Sequence, residues 1–201
     1  MSATQDLTAF TVLVEGTDVY CWAFLPAEGI EERERRDRVP YRLWAEQRSL
    51  ILTPGPVIDY GYVKRAVLDA AQAFELAHVE FDRWNSSQLV QELEDEGVTM
   101  VQVGQGFASL NAPTKELQRM VAEGKLRHGG DPLLRWCASN VAAHVDPAGN
   151  VKPDKSRSAH RIDPIVGLVM AIDGWQRFDH EPRVSVYEAY YQTGPYAKEA
   201  A

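Results

Sequence analysis

The segment Ala77-His78-Val79-Glu80-Phe81-Asp82-Arg83-Trp84-Asn85 contains a short apolar run that ends in an acid. Val79 and Phe81 predict a short buried strand, and the preceding residues 59–76 carry apolar side chains at helical spacing. A helix that leads into a buried strand is typical of an α/β fold. Asp82 then lies where the strand leaves the sheet, and ligands of open α/β sheets bind at that edge. The alternative is an Asp that only caps or turns the chain.

The same alternation continues on both sides of this segment. A helix over residues 88–96 and a strand over residues 98–103 predict a second strand that is parallel to the first. Residues 7–14 and 19–26 are β-rich and are separated by a short polar turn, which predicts a hairpin. The sequence therefore predicts an α/β fold whose sheet has parallel members.

Four further segments are predicted from composition and spacing. Residues 31–38 mix both charges within helical reach, and they predict an exposed helix held by local ion pairs rather than a DNA contact. Helices are expected over residues 112–123 and 132–141. The polar residues 146–160 predict a loop, and a loop of this length inside a compact domain is often functional.

Length and composition fit one globular domain. Of the 201 residues 45% are apolar, which is enough for a sizeable core. We expect a domain over residues 1–178 and a C-terminal tail over residues 179–201, where the periodicity is lost. No apolar run reaches the roughly 18 to 20 residues of a membrane span and the N-terminus carries no export signal, so we expect a cytoplasmic protein without a membrane partner. Cys21 and Cys137 suit reduced core thiols.

A second acid, Asp163, opens the apolar helix predicted from Ile162-Asp163-Pro164-Ile165-Val166-Gly167-Leu168-Val169-Met170. Capping alone explains an Asp before a Pro at a helix start, but a capping carboxylate still has a free oxygen. Two acids brought to one strand edge can hold Mg²⁺ or Mn²⁺ for phosphoryl transfer. Asp82 and Asp163 are therefore the candidate catalytic and metal-binding residues. Lys152 and Lys155 are the candidate contacts to DNA phosphates, with a solvated surface as the alternative.

Charge and motifs exclude several other functions. The net charge of −8 argues against a protein that coats DNA by general electrostatics, although it does not exclude a nuclease. Residues 102–108 lack the Lys-Ser/Thr of a Walker A loop, which excludes a nucleotide-binding P-loop there. The five histidines show no paired metal spacing and the cysteines are isolated, so a structural zinc site is not expected.

Ordered blocks of this sequence resemble the C-terminal nuclease domain of the large terminase subunit of tailed phages, the motor that cuts and packages DNA. Their shared order over about residues 4–172 carries the resemblance. The matching blocks are Asp6-Leu7-Thr8-Ala9, Arg38-Val39-Pro40-Tyr41, Leu52-Thr53-Pro54-Gly55, Val57-Ile58-Asp59-Tyr60, Phe81-Asp82-Arg83-Trp84-Asn85, Gln105-Gly106-Phe107-Ala108-Ser109-Leu110, Pro113-Thr114-Lys115-Glu116-Leu117, Leu126-Arg127-His128-Gly129-Gly130, Lys152-Pro153-Asp154-Lys155 and Ile162-Asp163.

The resemblance implies a ribonuclease-H-like α/β fold, in which a mixed sheet is flanked by helices and two Mg²⁺ or Mn²⁺ ions are held by acids. In that pattern Asp82 matches the metal-binding acid at the end of a central strand, and Asp163 matches the acid on the late helix. The family's first catalytic Asp lies on a first strand upstream of the segment that matches residues 2–6, and this sequence lacks that strand. Asp6 lies beyond that position and does not replace the acid. Losing a central strand would expose two unpaired strand edges.

The resemblance also implies partners, namely double-stranded DNA, the terminase ATPase region or small subunit, and the portal. Three functions stay open on the sequence. The first is a metal-dependent endonuclease that cuts double-stranded DNA during genome packaging in the host cytoplasm. The second is a catalytically incomplete fragment that docks onto the packaging machinery, which needs the fold but not both acids. The third, disfavoured by the ordered blocks, is another ribonuclease-H-like enzyme such as a resolvase or a transposase.

Overall fold

The structure is a computed structural model, and it describes residues 7–82 and 87–178. In chain order its elements are β1 (Thr8–Val14), β2 (Asp18–Pro26), α1 (Ile30–Asp37), α2 (Tyr41–Glu46), β3 (Ile51–Thr53), α3 (Tyr60–Phe74), β4 (Val79–Phe81), α4 (Ser87–Asp95), β5 (Met100–Gln102), α5 (Phe107–Ala122), α6 (Pro132–Asn140), β6 (Ala143–Val145), β7 (Val151–Pro153) and α7 (Asp163–Arg177). Within these residues, no helix has the length and apolar character needed to cross a membrane. The predicted tail, residues 179–201, lies outside the described residues.

The first sheet is built on the predicted hairpin. β1 and β2 pair antiparallel, and Phe10 lies opposite Trp22 with the two rings stacked at 5.4 Å. Gly16 in the turn has a φ of 68° and leaves room for Trp175 of α7, because a Cβ there would lie 2.8 Å from the indole ring. β3, which the sequence did not predict, pairs parallel with β2, so the strand order is β1-β2-β3 and β1 is an edge.

The second sheet is the predicted parallel pair. β4 and β5 align Val79 with Met100 and Phe81 with Gln102, which confirms the expected parallel pairing. The helix that leads into β4 is α3, and its N-cap residue is Asp59, whose carboxylate accepts a hydrogen bond from the Gly61 N–H at 2.8 Å. Among the described residues, no ladder joins this sheet to the first one.

A third sheet corrects the prediction of a loop over residues 146–160. β7 lies within that segment and pairs antiparallel with β6, which lies just ahead of it. Asp146 organises the turn between them, because its carboxylate accepts hydrogen bonds from the backbone N–H groups of Ala148 at 2.9 Å and Asn150 at 2.8 Å. Val151 and Pro153 are buried on one side of β7. Three residues are too few for a two-residue period to stand out in a polar segment, so the sequence did not reveal this strand.

Two helices also differ from the predictions. α5 begins at Phe107 rather than at residue 112, and it contains Pro113 in its interior. A Pro is favoured in the first helical turn, because the N–H that it lacks makes no helical hydrogen bond there. Pro113 lies in the helix interior instead, where it is fully buried. α1 matches the charged segment 31–38, yet Arg33 and Asp37 are only 8% and 7% exposed. The segment is therefore not a uniformly exposed helix.

Helix α7 joins the sheets, since it packs against β1, β4, α5 and α6. Its buried residues Leu168 and Ile172 share a core cluster with residues of β2 and α6. A second cluster combines Phe10 and Val12 of β1 with Val79 of β4. Each such side chain contributes about 1.5–3 kcal/mol when it is fully buried. Within the described residues, two edge strands, β1 and β4, thus lie against one helix.

Candidate metal and DNA site

Asp82 follows directly after β4, at the carboxyl end of that strand. The parallel ladder continues past this point, because the Val103 N–H donates a hydrogen bond to the Phe81 carbonyl oxygen at 2.9 Å. This bond fixes the backbone immediately before Asp82, which is half-buried. The strand end predicted from the sequence is therefore confirmed as the local setting of Asp82, while its role as a metal ligand stays a prediction.

β4 and α7 run in opposite directions. Near the start of β4, the His78 ring lies 3.9 Å from the ring of Phe178, which follows the end of α7. Beyond the end of β5, the Gln105 side-chain amide donates to the sulfur of Met170, half-way along α7, at 3.5 Å. Because β5 is parallel to β4, the N-terminal half of α7 extends past the carboxyl ends of both strands. Both candidate acids therefore lie toward the same end of this sheet.

Asp163 is the first residue of α7, and it does not act as the helix cap. The N-cap residue is Ile162, and no side-chain hydrogen bond caps this helix. The Asp163 carboxylate instead accepts a hydrogen bond from Nζ of Lys155, and the two side chains are 13% and 57% exposed, respectively. The capping explanation offered for Asp163 on the sequence is therefore wrong. A mostly buried carboxylate is stabilised here by a lysine from the preceding loop.

The loop that carries Lys155 is folded onto its own polar groups. The Asp154 carboxylate accepts hydrogen bonds from the backbone N–H of Ser156 at 2.8 Å and from its hydroxyl at 2.6 Å. Further along, the Ser158 hydroxyl oxygen accepts a hydrogen bond from the Ala142 N–H at 3.0 Å. The Ser156 hydroxyl, as the largest cause, holds the pKa of Asp154 below its ordinary value. The loop therefore presents Lys155 from a defined turn.

Lys152, the other predicted DNA contact, has a different environment. Its ammonium donates a hydrogen bond to the Gln105 carbonyl oxygen at 2.9 Å and lies 5.5 Å from the centre of the Phe107 ring. Both contacts tie β7 to the chain just ahead of α5. The His144 ring, on the paired strand β6, lies 5.1 Å from the same Phe107 ring. Lys152 therefore has a clear structural role, and its contact with DNA stays a prediction.

The structure gives several other basic residues ion-pair partners. Arg119 contacts Glu116 and Glu123 on its own helix at 2.5 Å each. Arg127 pairs with Asp18 across 109 residues of sequence. Partial neutralisation of this kind limits how strongly such arginines attract a polyanion, in keeping with the negative net charge.

Glu80, two residues before Asp82, was missed on the sequence. Its side chain is 3% exposed, and within the described residues neither carboxylate oxygen has a hydrogen-bond partner. Burial first, and then the negative charge of Asp173 on α7, raise the pKa of Glu80 to about 7. An acid between two apolar residues of a strand predicted to be buried was the available signal, because a polar residue there needs an explanation. Within residues 7–82 and 87–178, no group of three or more His, Cys, Asp and Glu side chains is arranged to hold a metal ion.

Comparison with known families and proteins gives one consistent match. The family model described as "Terminase large subunit, endonuclease domain" matches residues 1–181. The terminase large subunit of Enterobacteria phage HK97 is 34% identical over 178 residues, which cover 86% of this chain and 35% of that protein. Protein YmfN of Escherichia coli K12 is 27% identical over 157 residues, which cover 77% of this chain and 34% of that protein. The chain thus spans about a third of the length of these curated relatives.

Solved structures give the same match at the level of the fold. The crystal structure of the HK97 bacteriophage large terminase aligns with a TM-score of 0.77 at 34% identity, covering 86% of this chain and 37% of that one. The large terminase nuclease of the thermophilic phage G20c aligns with a TM-score of 0.54 at 13% identity, covering 89% of this chain and 79% of that one. The second likeness concerns the fold alone, and together they confirm the expected ribonuclease-H-like fold.

Proposed function

Because this chain belongs to the family of terminase large-subunit endonuclease domains, we propose that it cuts double-stranded DNA with divalent metal ions held by Asp82 and Asp163. One observation carries this assignment of residues: the antiparallel packing of β4 and α7, which directs the end of one and the start of the other toward the same end of the sheet. Metal-dependent hydrolysis by this chain, and its use in genome packaging, are parts of the proposal.

The donor chemistry of the two acids suits Mg²⁺ or Mn²⁺. Carboxylate oxygens are hard ligands, and Mg²⁺ keeps several of its waters while it takes one or two protein carboxylates. Lys155 places a positive charge beside the mostly buried Asp163 carboxylate. The two-ion centre implied by the resemblance needs a further acid beside these two.

Bound ions of this kind activate a water molecule and stabilise the leaving oxygen of a phosphodiester. The chain's own residues supply position and charge. The β4–β5 ladder orients Asp82 through the Val103 hydrogen bond, and the first turn of α7 orients Asp163. Both ammonium groups already donate a hydrogen bond, Lys155 to Asp163 and Lys152 to the Gln105 carbonyl oxygen. Lys155 is the stronger candidate for a phosphate contact, because its side chain is 57% exposed.

The proposed partners follow from the family. Double-stranded DNA is the substrate, and the terminase ATPase region or small subunit and the portal are the proteins that this domain would contact in the host cytoplasm. A second candidate function is docking without catalysis, in which the chain serves as an interaction module of the packaging machinery. Within the described residues β1 and β4 are edge strands, which favours this function, because strand edges are ready sites for pairing with another chain.

Plasmid cleavage tests the catalytic proposal. Supercoiled plasmid is incubated with the chain in Mn²⁺, in Mg²⁺ and in a chelator, and nicked and linear products are measured. Asp82→Asn and Asp163→Asn each remove a charged oxygen ligand, so each should abolish metal-dependent cutting. We expect weak cutting from Asp82 and Asp163 alone, because the two-ion pattern that the resemblance implies uses a further acid. The proposal fails if both variants cut as well as the parent chain.

Asp69→Asn is a matched control for these variants. Asp69 lies on α3, is 56% exposed and pairs only locally with Arg65 at 2.9 Å. The same Asp-to-Asn change there should leave cutting at the parent level. Thermal melting of every variant then separates a lost ligand from a lost fold.

A further inference from the structure

The charged helix α1 reaches the loop in front of Asp163 through a buried ion pair. Asp37, at the end of α1, and Arg161, two residues before Asp163, have side chains that are 6% and 8% exposed. The Arg161 Nε lies 3.4 Å from Asp37 Oδ2, although 124 residues separate them in sequence. A long-range contact of two buried charges joins the first third of the chain to the start of α7.

Tyr41 completes this contact. Its hydroxyl donates to Asp37 Oδ2 at 2.8 Å and accepts a hydrogen bond from the Arg161 Nε at 3.3 Å. The ring is fully buried and meets Trp44 and Trp136 edge-on at 5.6 Å and 5.9 Å. Because the Tyr41 ring is packed against these two side chains, its hydroxyl is held between the two charges.

The support behind Asp37 is rigid as well. Arg36 binds the same carboxylate in a bidentate manner, at 2.8 Å to Oδ1 and 3.1 Å to Oδ2. Arg33 is buried under α1 and donates to the backbone carbonyl oxygens of Pro26, at the end of β2, and Glu28. The first sheet therefore fixes α1, and α1 fixes the carboxylate that receives Arg161.

The backbone of Arg161 is held from the other side by α6. Asn140 is the last residue of that helix, and its side-chain amide donates a hydrogen bond to the Arg161 carbonyl oxygen at 3.3 Å. Its backbone carbonyl oxygen accepts a hydrogen bond from the Ala159 N–H at 3.3 Å. The next residue, Ile162, is 1% exposed in the core. The chain immediately ahead of Asp163 is thus clamped at its side chain and at its main chain.

Stability alone does not account for such a cluster. A buried ion pair often contributes no more than apolar residues of the same volume, because removing both charges from water costs about as much as their attraction returns. Its distinctive property is fixed geometry. Residues around metal ligands commonly act in this way, and changing them typically weakens metal binding by about 10–100-fold.

We propose that Asp37, Tyr41 and Arg161 form an anchor that sets the position of the Asp163 carboxylate, so that Arg161 is a positioning residue for the metal site. The effect of this anchor on metal binding rests on the proposed function, whereas the anchor itself rests on the contacts of Asp37, Tyr41 and Arg161. It also gives the charged segment 31–38 a role, which is to hold the metal-binding end of α7 rather than to contact DNA.

The test uses the full chain and the variants Arg161→Gln, Asp37→Asn and Tyr41→Phe. Free Mn²⁺ is measured by electron paramagnetic resonance to give the dissociation constant, and amide hydrogen exchange is measured over residues 155–166. Arg161→Gln and Asp37→Asn should raise the Mn²⁺ dissociation constant about tenfold or more and speed exchange in that segment. Tyr41→Phe, which removes only the hydroxyl and keeps the packed ring, should change both in the same direction.

Val67→Ala is the control for a general loss of stability. Val67 is 2% exposed in the core cluster around α3, away from the anchor. This variant should lower the melting temperature and leave the Mn²⁺ affinity and the exchange of residues 155–166 unchanged. Parent-like affinity and exchange in folded Arg161→Gln and Asp37→Asn would overturn the anchor.

Asp163→Asn separates the two proposals. If it leaves the Mn²⁺ affinity of the parent chain unchanged, the metal site itself is wrong. Hydrogen exchange then decides the anchor alone, because faster exchange of residues 155–166 in the anchor variants supports the clamp and unchanged exchange refutes it.

Discussion

Glu80 allows a quantitative test of how β4 is coupled to α7. The Glu80 side chain is 3% exposed. Its Oε1 lies 3.8 Å from Nε2 of His78, whose own pKa is lowered by burial. Asp173 faces it from α7 and is paired with Arg177 at 2.8 Å. Glu80→Gln keeps the size of the side chain and removes its ionisation.

The expected magnitude follows from the pKa of Glu80. Burial and the Asp173 charge raise it from 4.5 to about 7, so the folded chain holds this proton more tightly than the unfolded chain does. The stability contributed by the protonated group is complete below pH 4.5 and is lost as the pH rises through about 7. At 1.36 kcal/mol for each pKa unit, the loss is about 3 kcal/mol.

Urea unfolding followed by tryptophan fluorescence, at several pH values from 4.5 to 8, measures this effect. The unfolding free energy of Glu80→Gln minus that of the parent should rise by about 3 kcal/mol across this range. Glu123→Gln is a control that should stay nearly flat over this range, because Lys125 first and then Arg119 lower the pKa of Glu123 and so place its titration below the range. A difference for Glu80→Gln that stays flat with pH would refute the reasoning.

Two more predictions concern the same part of the molecule. Gly174→Ala should lower the unfolding free energy by about 1–3 kcal/mol, because its Cβ would overlap His78 Nε2 and lie 3.1 Å from Glu80 Oε1. Gly106→Ala is the control and should be tolerated, because a Cβ there meets nothing within 4 Å. Urea unfolding compares the two variants with the parent chain. A fused strand of about ten residues that carries an Asp and pairs with β1 and β4 should raise the melting temperature and plasmid nicking together, and its Asn version should keep only the gain in stability. If the fusion changes neither measurement, pairing of a further strand with β1 and β4 is refuted.

The parts of the fold that were predicted correctly have local causes. The β1–β2 hairpin, α3 and the β4–β5 pair each carry their periodicity within one short stretch of sequence, so their type and pairing could be inferred. Helix α6 begins at Pro132 as expected, after the cap Asp131, whose carboxylate accepts the Leu134 N–H at 2.7 Å. These features need no knowledge of distant residues.

The errors involve distant partners. Arg33 and Asp37 lie in a segment whose charged composition is typical of a solvent-exposed helix. They are buried because Arg33 contacts β2 and Asp37 contacts Arg161. β7 is a strand because β6 pairs with it, and Pro113 fits inside α5 because the surrounding core covers it. In each case the tertiary environment outweighs local propensity.

The candidate site divides in the same way. Asp82 could be selected from the end of a predicted strand, and Asp163 from the start of a predicted helix. The Lys155–Asp163 pair, the carbonyl contact of Lys152 and the burial of Glu80 could not be foreseen, because each depends on how a loop or a helix packs. The metal-binding and DNA-binding roles of these residues remain predictions.

The division of the strands into separate sheets has a consequence for cooperativity. Among the described residues, β1-β2-β3 and β4-β5 share no backbone ladder, so their mutual orientation depends on side chains packed along α7 and on the core cluster that joins β1, α3 and β4. Sub-global opening of a protein follows contiguous cooperative units. Detachment of α7 would therefore move Asp163 away from Asp82 while each sheet kept its internal hydrogen bonds, so the two acids would separate before either sheet unfolds.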